Sequence, residues 1–202
     1  MALSRALLAA ALVAALGQTA SAQPSQPDRA LIDAQVLQAI NDWINTDIVR
    51  VSIAAQNKRY DHLGAASIAA LDSQWVEERE SPDKPLIAAT LSNPLSVYLS
   101  RMQGKSLGLY PEIFVMDQNG LNVGQSSITS DFWQGDEDKF LKTFKVSADA
   151  VFIDEAEYDS EFGIWRTQVS MTVNDADGGN KIGAVTVELN LTELERRAAS
   201  GT

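Results

Sequence analysis

Apolar residues in the first third of the chain recur in steps of three and four. Leu37, Ile40, Ile44, Ile48, Val51 and Ala55 fall in this rhythm, which lays one stripe along an α-helix. Val36 and Trp43 flank the stripe, and no Gly or Pro interrupts the chain between Asp28 and Gly64. The spacing predicts one long amphipathic helix. Ile68, Leu71 and Trp75 share a face of a second helix, and Ser81-Pro82-Asp83-Lys84-Pro85 breaks the chain after it. Asn93 offers an N-cap for a third helix. Pro94 sits in its first turn, and Leu95, Tyr98, Leu99 and Met102 form its apolar face.

Beyond Pro111 the period drops to two. Residues 113–116 read as a strand, Asp117-Gln118-Asn119-Gly120 carries an Asn-Gly hairpin signal, and 121–124 form the return strand. Residues 136–144 suit a short helix with acids in its first turn and Phe140 paired with Phe144. A short strand follows at 151–153. Trp165, Thr167, Val169, Met171 and Val173 then alternate with Arg166, Gln168, Ser170 and Thr172, the pattern of a half-buried strand. Asp177-Gly178-Gly179-Asn180 is a turn, and 182–191 close the sheet. In that last strand Val185, Val187 and Leu189 lie opposite Ala184, Thr186, Glu188 and Asn190. Helices first and strands later predict an α+β fold, with a long N-terminal helix packed on an antiparallel sheet. One domain is expected over 35–191. Residues 23–34 form a leader and the start of the first helix, and 192–202 form a C-terminal tail.

Composition narrows the chemistry. Among 202 residues there are 16 Lys+Arg, 27 Asp+Glu, one His and no Cys, with a formal charge of −11. Without Cys there is no disulfide, thiolate metal site or cysteine nucleophile. A single His, His62, makes a polyhistidine metal site impossible. Asp175-Ala176-Asp177-Gly178 lacks the spacing and closing Glu of a calcium loop and reads as a hairpin turn. Neither a metal nor a cofactor is expected, nor an enzyme, and the acidic balance argues against nucleic acid as a partner. The first 22 residues have the form of a signal peptide. Arg5 precedes an apolar run at 6–16, and Ala20-Ser21-Ala22 is a small-x-small cleavage site. That run is shorter than the roughly 20 residues a bilayer span needs. The expectation is an exported product starting at Gln23 with no membrane span after cleavage, periplasmic in a Gram-negative cell.

The order of elements resembles the Cache superfamily, the extracytoplasmic PAS-like sensor domains also called PDC sensors. The resemblance rests on Phe114-Val115-Met116-Asp117-Gln118-Asn119-Gly120, on residues 152–159, on the strand at 164–173, and on Gly179-Asn180-Lys181-Ile182-Gly183-Ala184-Val185. It implies a PAS-like five-stranded antiparallel sheet and a pocket for a small molecule between the sheet and the elements covering it. In the amino-acid-sensing branch an Arg two residues before a Trp-Tyr pair holds the ligand carboxylate, and an Asp on the last strand holds the amine. The matching aromatic pair here is Phe132-Trp133, which puts Ser130 where that Arg would be. The last-strand acid falls on Glu188, and the tyrosine of the preceding strand falls near Glu157. The resemblance therefore implies an acidic site without the carboxylate clamp. An amine or other cationic ligand follows, presented to a membrane receptor or transporter.

The candidate ligand-binding residues are Asp131, Phe132, Trp133, Glu157 and Glu188. Each has a plainer reading. Glu188 either lines a pocket or belongs to a solvated sheet face. Phe132 and Trp133 either form an aromatic platform for a cation or pack into the core as a lid. Asp154, Glu155, Glu157 and Asp159 either contact a ligand or cation or mark a charged strand end. An interaction module using the same fold without a ligand is the competing reading of the whole chain.

Overall fold

A computed structural model describes residues 23–201; the segment 1–22, expected to be a signal peptide, lies outside them. Five strands run antiparallel in the order β2-β1-β6-β5-β3. They are β1 (Ile113–Met116), β2 (Asn122–Gln125), β3 (Val151–Ile153), β5 (Ile164–Asn174) and β6 (Lys181–Asn190). A sixth strand, β4 (Glu157–Asp159), also pairs with β5, where Trp165 meets Tyr158, while β3 pairs with β5 further along, where Ser170 meets Phe152. Among the described residues the sheet therefore has six strands, with two short ones sharing one edge. Most of the helices precede the sheet, with one inserted after β2 and one following β6, and the α+β class holds.

The first helix is not continuous. It divides into α1 (Ala34–Ile44) and α2 (Asp47–Arg59), with Thr46 extended between them at φ −112° and ψ 155°. Short polar side chains offer the backbone alternatives to the helical ladder. Asn45 Nδ2 bonds back to the Asn41 carbonyl, and Thr46 Oγ1 to that of Trp43. The break resets the helical phase. Ile40 and Ile44 are buried as the stripe predicts, but beyond it Val49 and Ile53 turn to the sheet, while Ile48 is half-buried and Val51 is 65% exposed.

The third expected helix appears as α5 (Pro94–Lys105), capped by Asn93, whose side chain accepts from Ser96 N–H. Before it come α3 (Ala65–Glu80), which buries Trp75, and a short α4 (Pro85–Leu91) that the sequence reading passed over. The helix of 136–144 is a single turn, α6 (Asp138–Leu141), and its Phe140 stacks on Phe144 at 5.0 Å. The expected tail forms α7 (Leu191–Ser200), capped by Asn190 and ended by Gly201 at φ 69°. The leader is also tied down: Pro27 is buried and Trp165 Nε1 donates to the Pro24 carbonyl at 3.0 Å.

The sheet divides the interior. Ile113, Val115, Val169, Met171, Val185, Val187 and Leu189 face α1, α2 and α5 in the main core. The other face is mixed. Phe114, Met116 and Ala184 pack under Phe140 at one end, whereas Arg166, Gln168 and Glu188 stand towards the other. A separate apolar corner joins Trp75, Ile87, Leu121 and Phe132.

Candidate functional site

The polar end of the second sheet face opens into two adjoining hollows. One, of about 290 Å³, lies over β5 and β6 beside Lys139 and the 154–157 segment. The other, of about 540 Å³, is bounded by Glu112, Ser127, Asp159, Phe162 and Ile164. Arg166 and Glu188 border both.

Strand register brings these charges together. Arg166 sits opposite Asn190 and Gln168 opposite Glu188, so Arg166 and Glu188 are diagonal neighbours on one face. Arg166 Nη1 donates to Glu188 Oε1 at 3.1 Å, and its Nη2 reaches Asp159 Oδ2 at 3.2 Å. Glu112 precedes β1, where its carbonyl accepts from Glu188 N–H at 2.8 Å, and Ser127 Oγ donates to the Glu112 carboxylate at 2.8 Å. Lys139 Nζ is taken up by Glu137 at 2.9 Å and by the Gln134 side-chain oxygen at 3.2 Å.

Glu112, Asp159 and Glu188 line the larger hollow together with Arg166, whose guanidinium is paired with Asp159 and Glu188 while the Glu112 carboxylate is held by Ser127. Burial pushes the Glu188 carboxyl above the usual glutamate range. Arg166 opposes that shift and the charge of Asp159 adds to it. Burial likewise raises Glu112; the Ser127 hydrogen bond lowers it, and the neighbouring charge of Glu188 raises it again. Carboxylates in this state gain from a further cation, since Coulomb energies strengthen as water is withdrawn.

The five sequence-predicted residues separate. Glu157 and Glu188 line the smaller hollow, Glu157 on its exposed rim and Glu188 in its wall. Asp131, Phe132 and Trp133 border neither hollow. Phe132 is buried in the apolar corner, stacked on Trp75 at 5.2 Å. Trp133 is half-buried with its indole N–H on the Asn119 carbonyl at 2.8 Å. Both backbone amides of this pair donate to Asp72 on α3, which fixes them against the helices. The Asp131 carbonyl accepts from Asn122, Thr129 and Gln134, a loop-bracing role. The Asp154–Asp159 acids do not gather at a point; among the described residues no cluster of His, Cys, Asp or Glu could hold a metal ion.

Sequence reasoning missed Arg166, Glu112 and Phe162, and named Asp159 only within the acidic group 154–159. Arg166 carried the available signal: it alternates with buried residues on β5 and so had to share a face with Glu188. Glu112 and Phe162 lie in connecting segments, where no periodicity marks the direction of a side chain.

No family model matches the chain, and no curated protein matches it. Among solved structures it is similar to the ligand-binding domain of the Pseudomonas aeruginosa PAO1 amino acid chemoreceptor PctC in complex with GABA. There the identity is 16% over 79% of this chain and 62% of that one, with a TM-score of 0.36. It is similar to the sensory domain of the Campylobacter jejuni chemoreceptor Tlp3, with 14% identity over 80% and 65% of the two chains and a TM-score of 0.39. The V. cholerae histidine kinase DctB sensor domain is a third, with 17% identity over 71% and 58% and a TM-score of 0.36. This chain spans less than two thirds of the length of each. All three are sensory or ligand-binding domains.

Proposed function

We propose that this chain is a sensor-type ligand-binding domain of the Cache class whose cleft takes a small molecule bearing an ammonium group. The observation that carries this reading is the excess of carboxylate around Arg166: Asp159 and Glu188 share its guanidinium, and Glu112, bonded to Ser127, lines the same larger hollow. An ammonium entering there exchanges its hydration for charge-assisted hydrogen bonds to acids already withdrawn from water. An added carboxylate meets like charge. The domain binds without catalysing a reaction. After removal of residues 1–22 it acts in the periplasm, presenting a ligand-dependent surface to a membrane receptor or transporter. Among the described residues no helix is long and apolar enough to cross a membrane.

A thermal-shift screen of residues 23–202 against amines, amino acids, carboxylates and purines tests the ligand class. Amines should raise the melting temperature, and a ligand at 100 times its Kd adds about 2.7 kcal/mol of stability. Glu188→Gln should then weaken amine binding by about ten- to a hundredfold, the scale of one charge-assisted hydrogen bond. Hits confined to dicarboxylates or neutral compounds, bound equally well by Glu188→Gln, overturn the proposal. Mass spectrometry of the exported protein should find Gln23 at its N-terminus; Met1 retained in membrane fractions contradicts the export reading.

A further inference from the structure

We infer that the ligand is an amine on an apolar, ring-sized body, and that its ammonium takes the place of the Arg166 guanidinium between Asp159 and Glu188. The inference rests on the ammonium reading above and adds the shape of the rest of the molecule and the group it displaces.

The larger hollow has two kinds of wall. Pro111, Phe162 and Ile164 supply apolar surface, and Glu112, Asp159 and Glu188 supply the acids. Its volume of about 540 Å³ exceeds what a bare ammonium or a two-carbon amine fills, and is within the range of small-ligand pockets. Phe162 is 71% exposed at the mouth of the hollow, where its ring serves no core. The turn that carries it is nevertheless fixed. Asp159 Oδ1 accepts from Glu161 N–H at 2.9 Å and from Phe162 N–H at 3.2 Å, and Gly163 N–H bonds to the Asp159 carbonyl at 2.8 Å. Gly163 closes this turn at φ 68°, a conformation glycine adopts without strain. A ring held at a cavity mouth offers a face to an apolar body and, across that face, attraction for a cation.

The same Asp159 carboxylate ties the aromatic wall to the ion pair, because its second oxygen takes Arg166 Nη2. Within the Asp159–Arg166–Glu188 group the partners differ in freedom. The two acid side chains are 10% exposed, whereas the Arg166 side chain is 38% exposed. The acids stay in the wall, and the long arginine can swing into water. Arg166 therefore acts as an internal stand-in for the ligand's cation, and a ligand must compete with it. A zwitterionic amino acid would instead set its carboxylate among Glu112, Asp159 and Glu188, with Arg166 as the neighbouring counter-charge in that hollow.

Titration calorimetry with 2-phenylethylamine, ethanolamine and phenylalanine separates the possibilities. Wild-type protein should bind 2-phenylethylamine about tenfold or more tightly than either of the others. Phe162→Ala should cost 2-phenylethylamine about tenfold and leave ethanolamine unchanged. Arg166→Gln should tighten 2-phenylethylamine by about tenfold, since the competitor is gone. Arg166→Met, which keeps the aliphatic stem, gives the same readout should Arg166→Gln fail to fold by circular dichroism. Equal binding of ethanolamine and 2-phenylethylamine, with Phe162→Ala silent, overturns the apolar body and leaves the ammonium reading standing. Weaker amine binding in both Arg166 variants, or phenylalanine as the tightest of the three, overturns the displacement. Absence of binding by either amine removes both this inference and the ammonium reading.

Discussion

Glu78 and Glu188 are buried to nearly the same degree, at 5% and 8% exposure, and their surroundings could hardly differ more. Glu78 closes the corner between α3 and α4. Its Oε1 accepts from Leu86 N–H at 3.1 Å and from Gln74 Nε2 at 2.7 Å, and its Oε2 from Ile87 N–H at 2.9 Å. Burial alone would raise this carboxyl. The amide of Ile87, the Gln74 side chain, the amide of Leu86 and the charge of Lys84 outweigh that effect and hold it below the usual range. Glu188 has one guanidinium, shared with Asp159, and stays above the range. A buried carboxylate saturated by backbone amides holds the fold together. One that shares a cation with other acids keeps capacity for a ligand.

Aromatic residues in the two regions give the largest expected contrast. Trp75 is fully buried beside Glu78, stacked on Phe132 and hydrogen-bonded from Nε1 to the Thr129 carbonyl at 3.0 Å. Trp75→Ala should cost about 3–5 kcal/mol in urea unfolding, the range for a buried aromatic truncation. A loss below about 1 kcal/mol would show the corner to be pliable and weaken its assignment as scaffold.

The glutamate of the corner comes next. Glu78→Ala leaves the Leu86 and Ile87 amides without their acceptor and should cost about 1.5–3 kcal/mol, the scale of a hydrogen bond to a charged group. Glu188→Gln should leave the free protein about as stable as wild type or slightly more so, because it removes a charge held in an unfavourable place. Equal losses in the two variants, measured by the same unfolding, would erase the distinction between the two carboxylates.

Acid titration sharpens the comparison by sign. The folded pKa of Glu78 lies below its ordinary value of 4.5, so its contribution is present above that pH and is lost as pH falls through the folded value. The stability of wild type relative to Glu78→Gln should shrink below about pH 4.5. Glu188 runs the other way. Its folded value lies above 4.5, the folded state holds its proton longer, and wild type should lose stability relative to Glu188→Gln as pH rises from 4.5 through that value. Slopes of the same sign in both pairs would contradict the assigned environments.

The smallest effect belongs to Phe162. Phe162→Ala should change the stability of the free protein by no more than about 0.5 kcal/mol, the usual surface value. A loss above about 1.5 kcal/mol would place its ring in a core and remove it from the mouth of the cleft.

Legibility in the sequence followed the kind of signal each element carried. Strands β1 and β3 and the capped start of α5 lie where their short apolar runs and the Asn-Pro pair put them. The two-faced character of β5 and β6 was equally readable, and with it the position of Glu188. The first helix departs from its pattern because the apolar spacing continues across residues 45–46, while the backbone there answers to Asn45 and Thr46 bonding back on the preceding turn. Phe132 and Trp133 look like a ligand platform when only their loop setting is considered. What decides their place is Asp72, some sixty positions earlier on α3, which takes both amides. The strand β4 gives no such signal because Glu157-Tyr158-Asp159 is neither an apolar run nor long enough for a period, and its pairing depends on β5.

The sequence by itself determined the α+β class, the core-facing residues of the long strands, the acidic balance and the presence of a carboxylate on the polar face of the last strand. These follow from local periodicity and from charge, which each segment carries whatever its neighbours do. Tertiary structure alone decided that Arg166 would meet Glu188 and Asp159, that Phe162 rather than Trp133 would stand over the cleft, and that Glu78 would be saturated while Glu188 is not. Those outcomes depend on register and on contacts between distant segments, and a side chain's protonation and free hydrogen-bonding capacity are properties of what the fold sets around it.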